Sequence, residues 1–279
     1  MHYARYTLFI ILAGLATLAV SGCSTVPATT PTSPEAPQSP PKVPTPSTPA
    51  PTPAPGPITK PSAELLKGCP APGEYQAFDM ATYSDQKFLD TMRYLGMTTA
   101  IRYYDWVAET IKGKTPTLAE MALFKKNGFN FLGVFQHNSN QTATFTAARG
   151  KIDAARILEL AKLWGQPKGS AVYLGVDGDF ETHIPVPYFK VAAPILRAAG
   201  FRVGMYGSGA NCKNLKALGL VDGNLCMIAA SSWGWRGTKA ILAEGKGYVI
   251  AQKVNQRCGG KSIDFDKLLV PDVGQWKIP

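Results

Sequence analysis

The sequence predicts an α/β fold: a TIM-like barrel with five βα units followed by three β-strands, preceded by a disordered Pro-rich tether. Three observations support this prediction. The first 62 of the 279 residues hold 14 of the 23 prolines and almost no charge. Short apolar runs then alternate with helix-period segments that mostly stop at a glycine. After the fifth such unit, the segments between apolar runs become short, so regular βα units are not expected to continue.

Residues 1–22 are predicted to be a lipoprotein signal peptide. Arg5 precedes an apolar run from Thr7 to Gly22, whose 16 residues are too few to span ~30 Å of hydrocarbon but suit a signal-peptide core. Small residues directly before Cys23 resemble the bacterial lipobox, so Cys23 is the predicted lipidation site and would anchor the exported chain to a membrane. Ser24 then predicts the outer membrane, facing the periplasm, if the organism is Gram-negative. A plain secretory signal with an incidental cysteine is the alternative.

Residues 23–62 are predicted to be the lipidated cysteine and a Pro/Thr/Ser-rich linker. Ser24 to Pro61 has hardly a large apolar residue, so it cannot bury enough surface to offset its ordering entropy. In polyproline II its 38 residues reach about 120 Å at ~3.1 Å each, enough to carry an anchored domain into a cell-wall layer. A linker of no selected length fits the composition equally well.

Residues 63–279 are predicted to form the folded domain, and 217 residues are enough to bury a core. The chain is 45% apolar and 17% charged, which excludes wholesale disorder and a coiled coil. This domain has 26 Lys and Arg against 18 Asp and Glu, so its expected partners are anionic or neutral. Nucleic acid is not predicted, because the basic residues are scattered and the leader directs export.

Four cysteines follow Cys23, an even number in an oxidising compartment, so two disulfides are expected. Four cysteines allow three pairings. We favour Cys69 with Cys258 and Cys212 with Cys226, because the second pair closes a short loop. The sequence has no CxxC, and therefore supports neither a zinc ribbon nor a thioredoxin motif.

Eight apolar runs are the predicted barrel strands. A typical intervening helix is Lys151–Trp164, which ends at Gly165. Asn211–Leu220 is short, and only about Asn255–Lys261 separates the last two strands, so the last three strands are predicted to form a β-meander. A doubly wound open sheet is the alternative. The predicted strands are Tyr75–Asp79, Thr99–Tyr104, Asn130–Gln136, Ala171–Asp177, Arg202–Gly207, Leu225–Ala230, Tyr248–Val254 and Ser262–Phe265.

Acidic residues lie where predicted strands end, which is where barrels of this kind place their chemistry. Asp79 ends strand one, and Asp264 lies on strand eight, its neighbour after barrel closure. Asp177 and Asp179 end strand four, and strand alternation places both on one face, projecting into the barrel mouth. Carboxylates gathered in one mouth raise one another's pKa, as a general acid near neutral pH requires. Asp266 is predicted instead to be a turn or helix-capping residue.

Substrate-binding residues are predicted at the same rim, where aromatic faces stack on sugar rings. For each aromatic residue alone, core packing is the alternative. No metal or other cofactor is predicted, because Asp177-Gly178-Asp179 lacks the other EF-hand ligands and two histidines after the leader are too few for a typical zinc site. The predicted binding residues are Tyr104, Gln136, Tyr206, Trp233 and Gln252, with Trp235 beside them.

Several segments together resemble the glycoside hydrolase-like family known as domain of unknown function 1906 and, more distantly, the family 25 lysozymes. The resemblance spans about Gly73 to Trp276 and implies a barrel of five βα units and three strands that acts on the glycan backbone of peptidoglycan. The segments are Phe78-Asp79, Ile101-Arg102-Tyr103-Tyr104, Tyr173 to Asp179, Val203 to Gly209, the Trp233 segment, Gln252 and Ile263 to Asp266.

The resemblance to the lysozymes implies roles for the acidic residues. Their first-strand Asp corresponds to Asp79, the Asp of their Asp-x-Glu motif to Asp177, and their eighth-strand Asp to Asp264. Their proton-donating Glu corresponds to Asp179, which is shorter by one methylene. Two functions follow: a hydrolase in which Asp179 donates the proton, or a module that binds peptidoglycan or another envelope glycan without cutting it.

Overall fold

The computed structural model describes residues 56–106, 111 and 113–279. The predicted signal peptide, Cys23 and most of the predicted tether lie outside the described residues. Residues 56–61 run without regular secondary structure into the folded domain. Within the described ranges, no helix is long and apolar enough to cross a membrane.

Eight strands form a closed ring. Neighbours from β1 through β7 are parallel, β8 is antiparallel to both β7 and β1, and the pairing of β2 with β3 completes the ring. The predicted TIM-like barrel is therefore confirmed, and the open-sheet alternative is wrong. The strands are β1 Ala77–Asp79, β2 Thr99–Tyr104, β3 Asn130–Phe135, β4 Ala171–Gly175, β5 Arg202–Gly207, β6 Cys226–Ala229, β7 Ile250–Cys258 and β8 Lys261–Leu268. A two-residue strand, β9 Trp276–Lys277, pairs with the start of β3.

Helices cover the outside of the ring. Four begin at a polar side chain that accepts a hydrogen bond from the backbone three residues on, the usual way to satisfy a free helical N–H: Asp85, Thr117, Thr146 and Ser208. The apolar faces of the helices pack on the strands, as the burial of Phe88 on α1, Phe124 on α2 and Phe189 on α4 shows. The helices are α1 Gln86–Tyr94, α2 Leu118–Lys126, α3 Ala147–Trp164, α4 Val186–Ala198, α5 Gly209–Ala217 and α6 Thr238–Glu244.

The end of the barrel differs from the prediction of five βα units and a three-stranded meander. Helix α6 lies between β6 and β7, and these two strands are parallel, so there are six βα units followed by one hairpin. The helix has seven residues, of which Thr238 and Ile241 are buried. Such a segment is too short to show a helical apolar stripe. The absence of a helix between β7 and β8 agrees with the prediction.

Both favoured disulfides are present. Cys69 bonds to Cys258 and ties the segment before β1 to the end of β7, across 189 residues. Cys212 on α5 bonds to Cys226 on β6, across 14 residues.

The inside of the ring is filled beneath its mouth. The Tyr173 ring occupies the space that a side chain on Gly204 would take, because a Cβ there would lie 2.7 Å from that ring. Above it, a cavity of only about 10 Å³ remains between Tyr103, Tyr206 and Gln252. The packed interior leaves the carboxyl ends of the parallel strands as the place for a ligand.

Candidate active site

A cleft of about 660 Å³ opens at the carboxyl ends of the strands. A second hollow of about 270 Å³ adjoins it and shares Ala81, Tyr103 and Asp264 with it. The cleft is lined by residues from both sides of the ring, among them Tyr103, Gln136, Asp177, Tyr206, Trp235 and Asp264. Several of the predicted site residues therefore meet in one space.

Asp79 is held by a hydrogen bond to each of its carboxylate oxygens. It is 1% exposed. The Tyr103 hydroxyl donates to its Oδ1 at 2.6 Å, and Gln252 Nε2 donates to its Oδ2 at 2.6 Å. Burial raises the pKa of Asp79, and these hydrogen bonds together with the positive charge of Arg102 act against that rise. Each carboxylate oxygen thus has a fixed donor, which locks the orientation of the group.

Asp264 and Asp266 extend this acidic group along β8. Asp264 lies directly opposite Asp79 in the antiparallel ladder, and it lines both hollows. Such opposed side chains have Cβ atoms about 4.5–5.5 Å apart, so the two carboxyl groups are neighbours. Asp266, two residues on, points to the same face and is completely buried. The prediction that Asp266 is a turn or capping residue is wrong, because β8 continues to Leu268.

Asp177 stands on another part of the rim, just after β4. Gln136 Nε2 donates to its Oδ2 at 2.7 Å, and the Asp177 backbone N–H donates to Ser139 O at 2.9 Å. Partial burial raises the pKa of the Asp177 carboxyl, while the Gln136 hydrogen bond and the nearby Lys114 charge oppose the rise. A carboxyl of this kind stays protonated to higher pH than one in water.

Lys114 links the two sides of the cleft. Its ammonium donates to the backbone oxygen of Gln136, pairs with Asp105 Oδ2 at 3.1 Å and lies 5.2 Å from the centre of the Tyr103 ring. The buried Arg102 holds this segment from the outer face of β2 by donating to Gly113 O at 2.6 Å. Lys114 was not predicted, since its position comes from a loop that has no sequence periodicity.

Asp179 does not share the cleft lining with Asp177 among the described residues. It is exposed, and its Oδ1 accepts a hydrogen bond of 2.7 Å from the Arg236 backbone. The expectation of a shared strand face assumed that β4 runs through Asp177, but the strand ends at Gly175 and alternation stops there. Asp179 instead braces the loop that presents Trp235 to the cleft.

Tyr104 is a second correction. It is completely buried outside the ring, with its ring centre 4.6 Å from that of Trp164 and its hydroxyl donating to Gln166. Side chains alternate along β2, so the residue that faces the interior with Asp79 is Tyr103. That alternation was the signal that could have identified Tyr103.

The other predicted binding residues are divided between cleft and surface. Gln136, Tyr206 and Gln252 line the cleft, as described above. Trp233 is 62% exposed, and its neighbour Trp235 is the one that lines the cleft. Among the described residues, no three His, Cys, Asp or Glu side chains are arranged to hold a metal ion.

A family model described as Rv2525c-like, glycoside hydrolase-like domain matches residues 90–264. This confirms the predicted resemblance to a glycoside hydrolase-like family. The match includes Asp177, Asp179 and Asp264. No curated protein matches the chain.

Solved structures share the fold. The Tat-secreted protein Rv2525c of Mycobacterium tuberculosis is 22% identical, with a TM-score of 0.59 over 72% of this chain and 98% of that one. An uncharacterised B. stearothermophilus protein is 15% identical, with a TM-score of 0.52 over 69% of this chain and 94% of that one. The autolysin LytC of Streptococcus pneumoniae is also similar, at 14% identity and a TM-score of 0.49, over 69% and 46% of the two chains.

Proposed function

Because the chain belongs to the family of Rv2525c-like, glycoside hydrolase-like domains, we propose that its cleft binds and hydrolyses peptidoglycan or a related envelope glycan. The family description, glycoside hydrolase-like, supports this reaction class. Glycoside hydrolysis needs one carboxylic acid and at least one carboxylate on either side of the scissile bond, and the carboxyl groups at the cleft are the candidates for these roles.

The observation that supports hydrolysis most directly is the state of Asp177. Its carboxyl lines the cleft, is oriented by Gln136 and has a raised pKa. We therefore assign it the proton that is donated to the glycosidic oxygen. The longer acid that the lysozyme resemblance places at Asp179 is absent, and Asp179 itself is hydrogen-bonded to Arg236.

We assign charge stabilisation to Asp79 and Asp264. Asp79 lies buried beside the smaller hollow, and Asp264 lines both hollows. Positive charge develops on the sugar as the glycosidic bond breaks, and a carboxylate fixed in a site from which water is excluded stabilises that charge. Asp79 is suited to this role because Tyr103 and Gln252 hold its two oxygens in place. Asp264, its cross-strand neighbour, lines the cleft and is placed to contact the sugar or the attacking water.

Sugar binding is assigned to the polar and aromatic lining. Trp235 and Tyr206 offer ring faces at the rim, and Gln136 and Lys114 supply donors beside Asp177. The net positive charge of the chain, +10, favours the anionic polymers of a cell envelope.

We also propose that the protein is an exported lipoprotein. The support is the sequence before the described domain: an apolar leader, Cys23 and a proline-rich tether long enough to reach into a cell wall. The M. tuberculosis protein Rv2525c is itself described as Tat-secreted. In a Gram-negative organism the anchor would lie in the outer membrane, facing the periplasm.

Glycan binding without cleavage is the second candidate function. Its specific support is Asp179, which is too short for the donor role in the lysozyme-like arrangement and is hydrogen-bonded to the Arg236 backbone. The aromatic and amide lining would serve a binding module as well as an enzyme.

The test is product analysis after incubation with purified peptidoglycan between about pH 4 and 8, the range in which a perturbed carboxyl changes state. Asp177→Asn should abolish release of new reducing ends while leaving sedimentation with peptidoglycan nearly intact, because an amide and a carboxylic acid have almost the same volume. Wild-type activity should fall as pH rises through the raised pKa of Asp177, since only the protonated form donates.

Asp179 variants decide between the assignments. If Asp179→Asn abolishes turnover and Asp177→Asn does not, Asp179 is the donor and our assignment is wrong. If the wild type and Asp179→Glu both bind peptidoglycan but leave it uncut, the protein is a binding module. If neither the wild type nor Asp179→Glu binds peptidoglycan, both proposed functions are wrong.

A further inference from the structure

Asp266 is a fully buried acid that the mechanism above does not use. It lies on β8 opposite Ala77 of β1 and Gln252 of β7, with its side chain inside the ring. It follows Asp264 by two residues on the same face and is therefore the diagonal neighbour of Asp79 across the ladder. The Asp266 and Asp79 carboxyl groups lie within hydrogen-bonding reach of each other.

Among the described residues, no donor is hydrogen-bonded to the Asp266 carboxyl group. Neither of its carboxylate oxygens has a hydrogen-bond partner when both acids are counted as acceptors. The nearest amide, Gln252, directs its Nε2 to Asp79 and leaves its own buried Oε1 without a partner. An ionised Asp266 would thus be buried without a hydrogen bond from any described donor, whereas a protonated Asp266 can itself donate one to a neighbouring acceptor.

The charges around the pair favour the same state. Burial and the negative charges of Asp79 and Asp264 raise the pKa of Asp266 well above its ordinary value. Arg102 is the cation that acts on Asp79 from the outer face of β2, and it is itself paired with Glu120. The titratable groups that face the pair from the packed elements are Tyr75 before β1, Tyr103 on β2, Tyr206 on β5 and Asp264 on β8.

We propose that Asp266 is protonated and donates a hydrogen bond to Asp79. The pair then carries one negative charge, and this charge lies on Asp79. Asp266 is then a positioning residue. With Tyr103 and Gln252 it gives Asp79 three donors, which fix the carboxylate and favour its ionised form beside the smaller hollow. The protonation of the pair is a property of the fold; its effect on glycan cleavage rests on the proposed function.

Carboxyl-carbon NMR of the full chain labelled at aspartate tests the protonation directly. The signals of Asp266 and Asp79 are assigned by their loss in Asp266→Asn and Asp79→Asn. At pH 7 we expect the Asp266 carbon at its protonated position and the Asp79 carbon at its ionised position. Asp272, whose pKa is lowered by Arg202, is the internal control and should be ionised. An ionised Asp266 at pH 7 overturns the proposal.

Two variants of similar size separate the donor from the charge. Asp266→Asn keeps a neutral donor, whereas Asp266→Leu removes it. We expect the pKa of Asp79 to be about one unit higher in Asp266→Leu than in Asp266→Asn. At a pH below both pKa values, the ionised fraction of Asp79 should then be about tenfold smaller in Asp266→Leu. An equal change in both variants would contradict a donor role. If the domain cleaves glycan, the acid limb of its activity–pH profile should shift to higher pH in Asp266→Leu than in Asp266→Asn.

Stability against pH gives a readout that does not depend on glycan. A group whose pKa is raised in the folded state stabilises the fold below its unfolded pKa and loses that contribution as pH rises through the folded value. Wild type should therefore lose stability above about pH 4. Asp266→Asn should lose less, because only the contributions of other raised carboxyl groups, such as Asp177, remain. We expect Asp266→Asn to melt higher than wild type at pH 7 and the difference to shrink toward pH 4. The opposite trend would show that Asp266 is ionised.

Discussion

Removal of the Tyr103 hydroxyl is the sharpest test of the electrostatics of the site. Tyr103 lies on β2 facing the barrel interior, and its hydroxyl donates to Asp79 Oδ1 at 2.6 Å. Tyr103→Phe deletes this donor while keeping the ring that borders the cleft. The pKa of Asp79 should rise further, because burial continues to disfavour its charge and one opposing hydrogen bond is gone.

The size of the effect depends on the charge of Asp79. A hydrogen bond to a charged group contributes about 1.5–3 kcal/mol, and a bond between neutral groups about 0.5–1.5 kcal/mol. On the proposal that Asp79 is ionised, we expect Tyr103→Phe to cost about 2 kcal/mol at pH 8. At pH 4, where a larger fraction of Asp79 is protonated, we expect about 1 kcal/mol. For a domain of this length the cost at pH 8 corresponds to a melting temperature about 4–8 °C lower.

Tyr104→Phe is the matched control one residue away. The Tyr104 hydroxyl donates to the neutral amide oxygen of Gln166, on the outside of the barrel. Its loss should cost about 1 kcal/mol with no dependence on pH. Thermal melts of wild type and both variants at pH 4 and pH 8 give the comparison. An equal pH dependence for both, or none for Tyr103→Phe, would refute an ionised Asp79 held by Tyr103.

Two further predictions concern the covalent framework and the anchor. In the chain-entropy description, replacing both cysteines of the Cys69–Cys258 bridge by serine should lower the free energy of unfolding by about 5 kcal/mol, because this bridge closes a loop of 189 residues. Replacing Cys212 and Cys226 should lower it by about 3 kcal/mol, because their bridge closes a loop of 14 residues. A larger loss for the short loop in denaturant titrations would contradict this order. Cys23→Ser should move the protein from the membrane to the soluble fraction on cell fractionation, whereas an unchanged distribution together with a native form free of lipid would rule out the lipoprotein proposal.

The sequence alone was sufficient to predict the barrel, because the sequence patterns that indicate its strands and helices are local. Apolar runs and glycine stops repeat along the chain, and each marks one strand or one helix end, such as the Gly165 that ends α3. The resemblance to a glycoside hydrolase-like family rested on short motifs around strand ends and was confirmed by the family match. Among the described residues, the α-helix that the sequence did not predict is α6, which has seven residues and therefore too little periodicity to detect.

The site was only partly accessible from sequence. Pairing of the first and last strands is a consequence of barrel closure, so the proximity of Asp79 and Asp264 followed from the fold class. The direction of each side chain did not follow, because it depends on where a strand ends. Asp179 lies beyond the end of β4, and Tyr104 falls on the outer face of β2.

Tertiary structure alone decided the burial and the hydrogen-bond partners of the acids. Whether a carboxyl is charged depends on its burial and on the donors around it, and these come from distant parts of the chain: Gln252 reaches Asp79 across 173 residues. The burial of Asp266 next to Asp79 arises from the register between β1 and β8, since a shift of one residue would turn it to the other face. The sequence determined which acids are available. Their different burial and hydrogen bonds arise from the packing of the barrel.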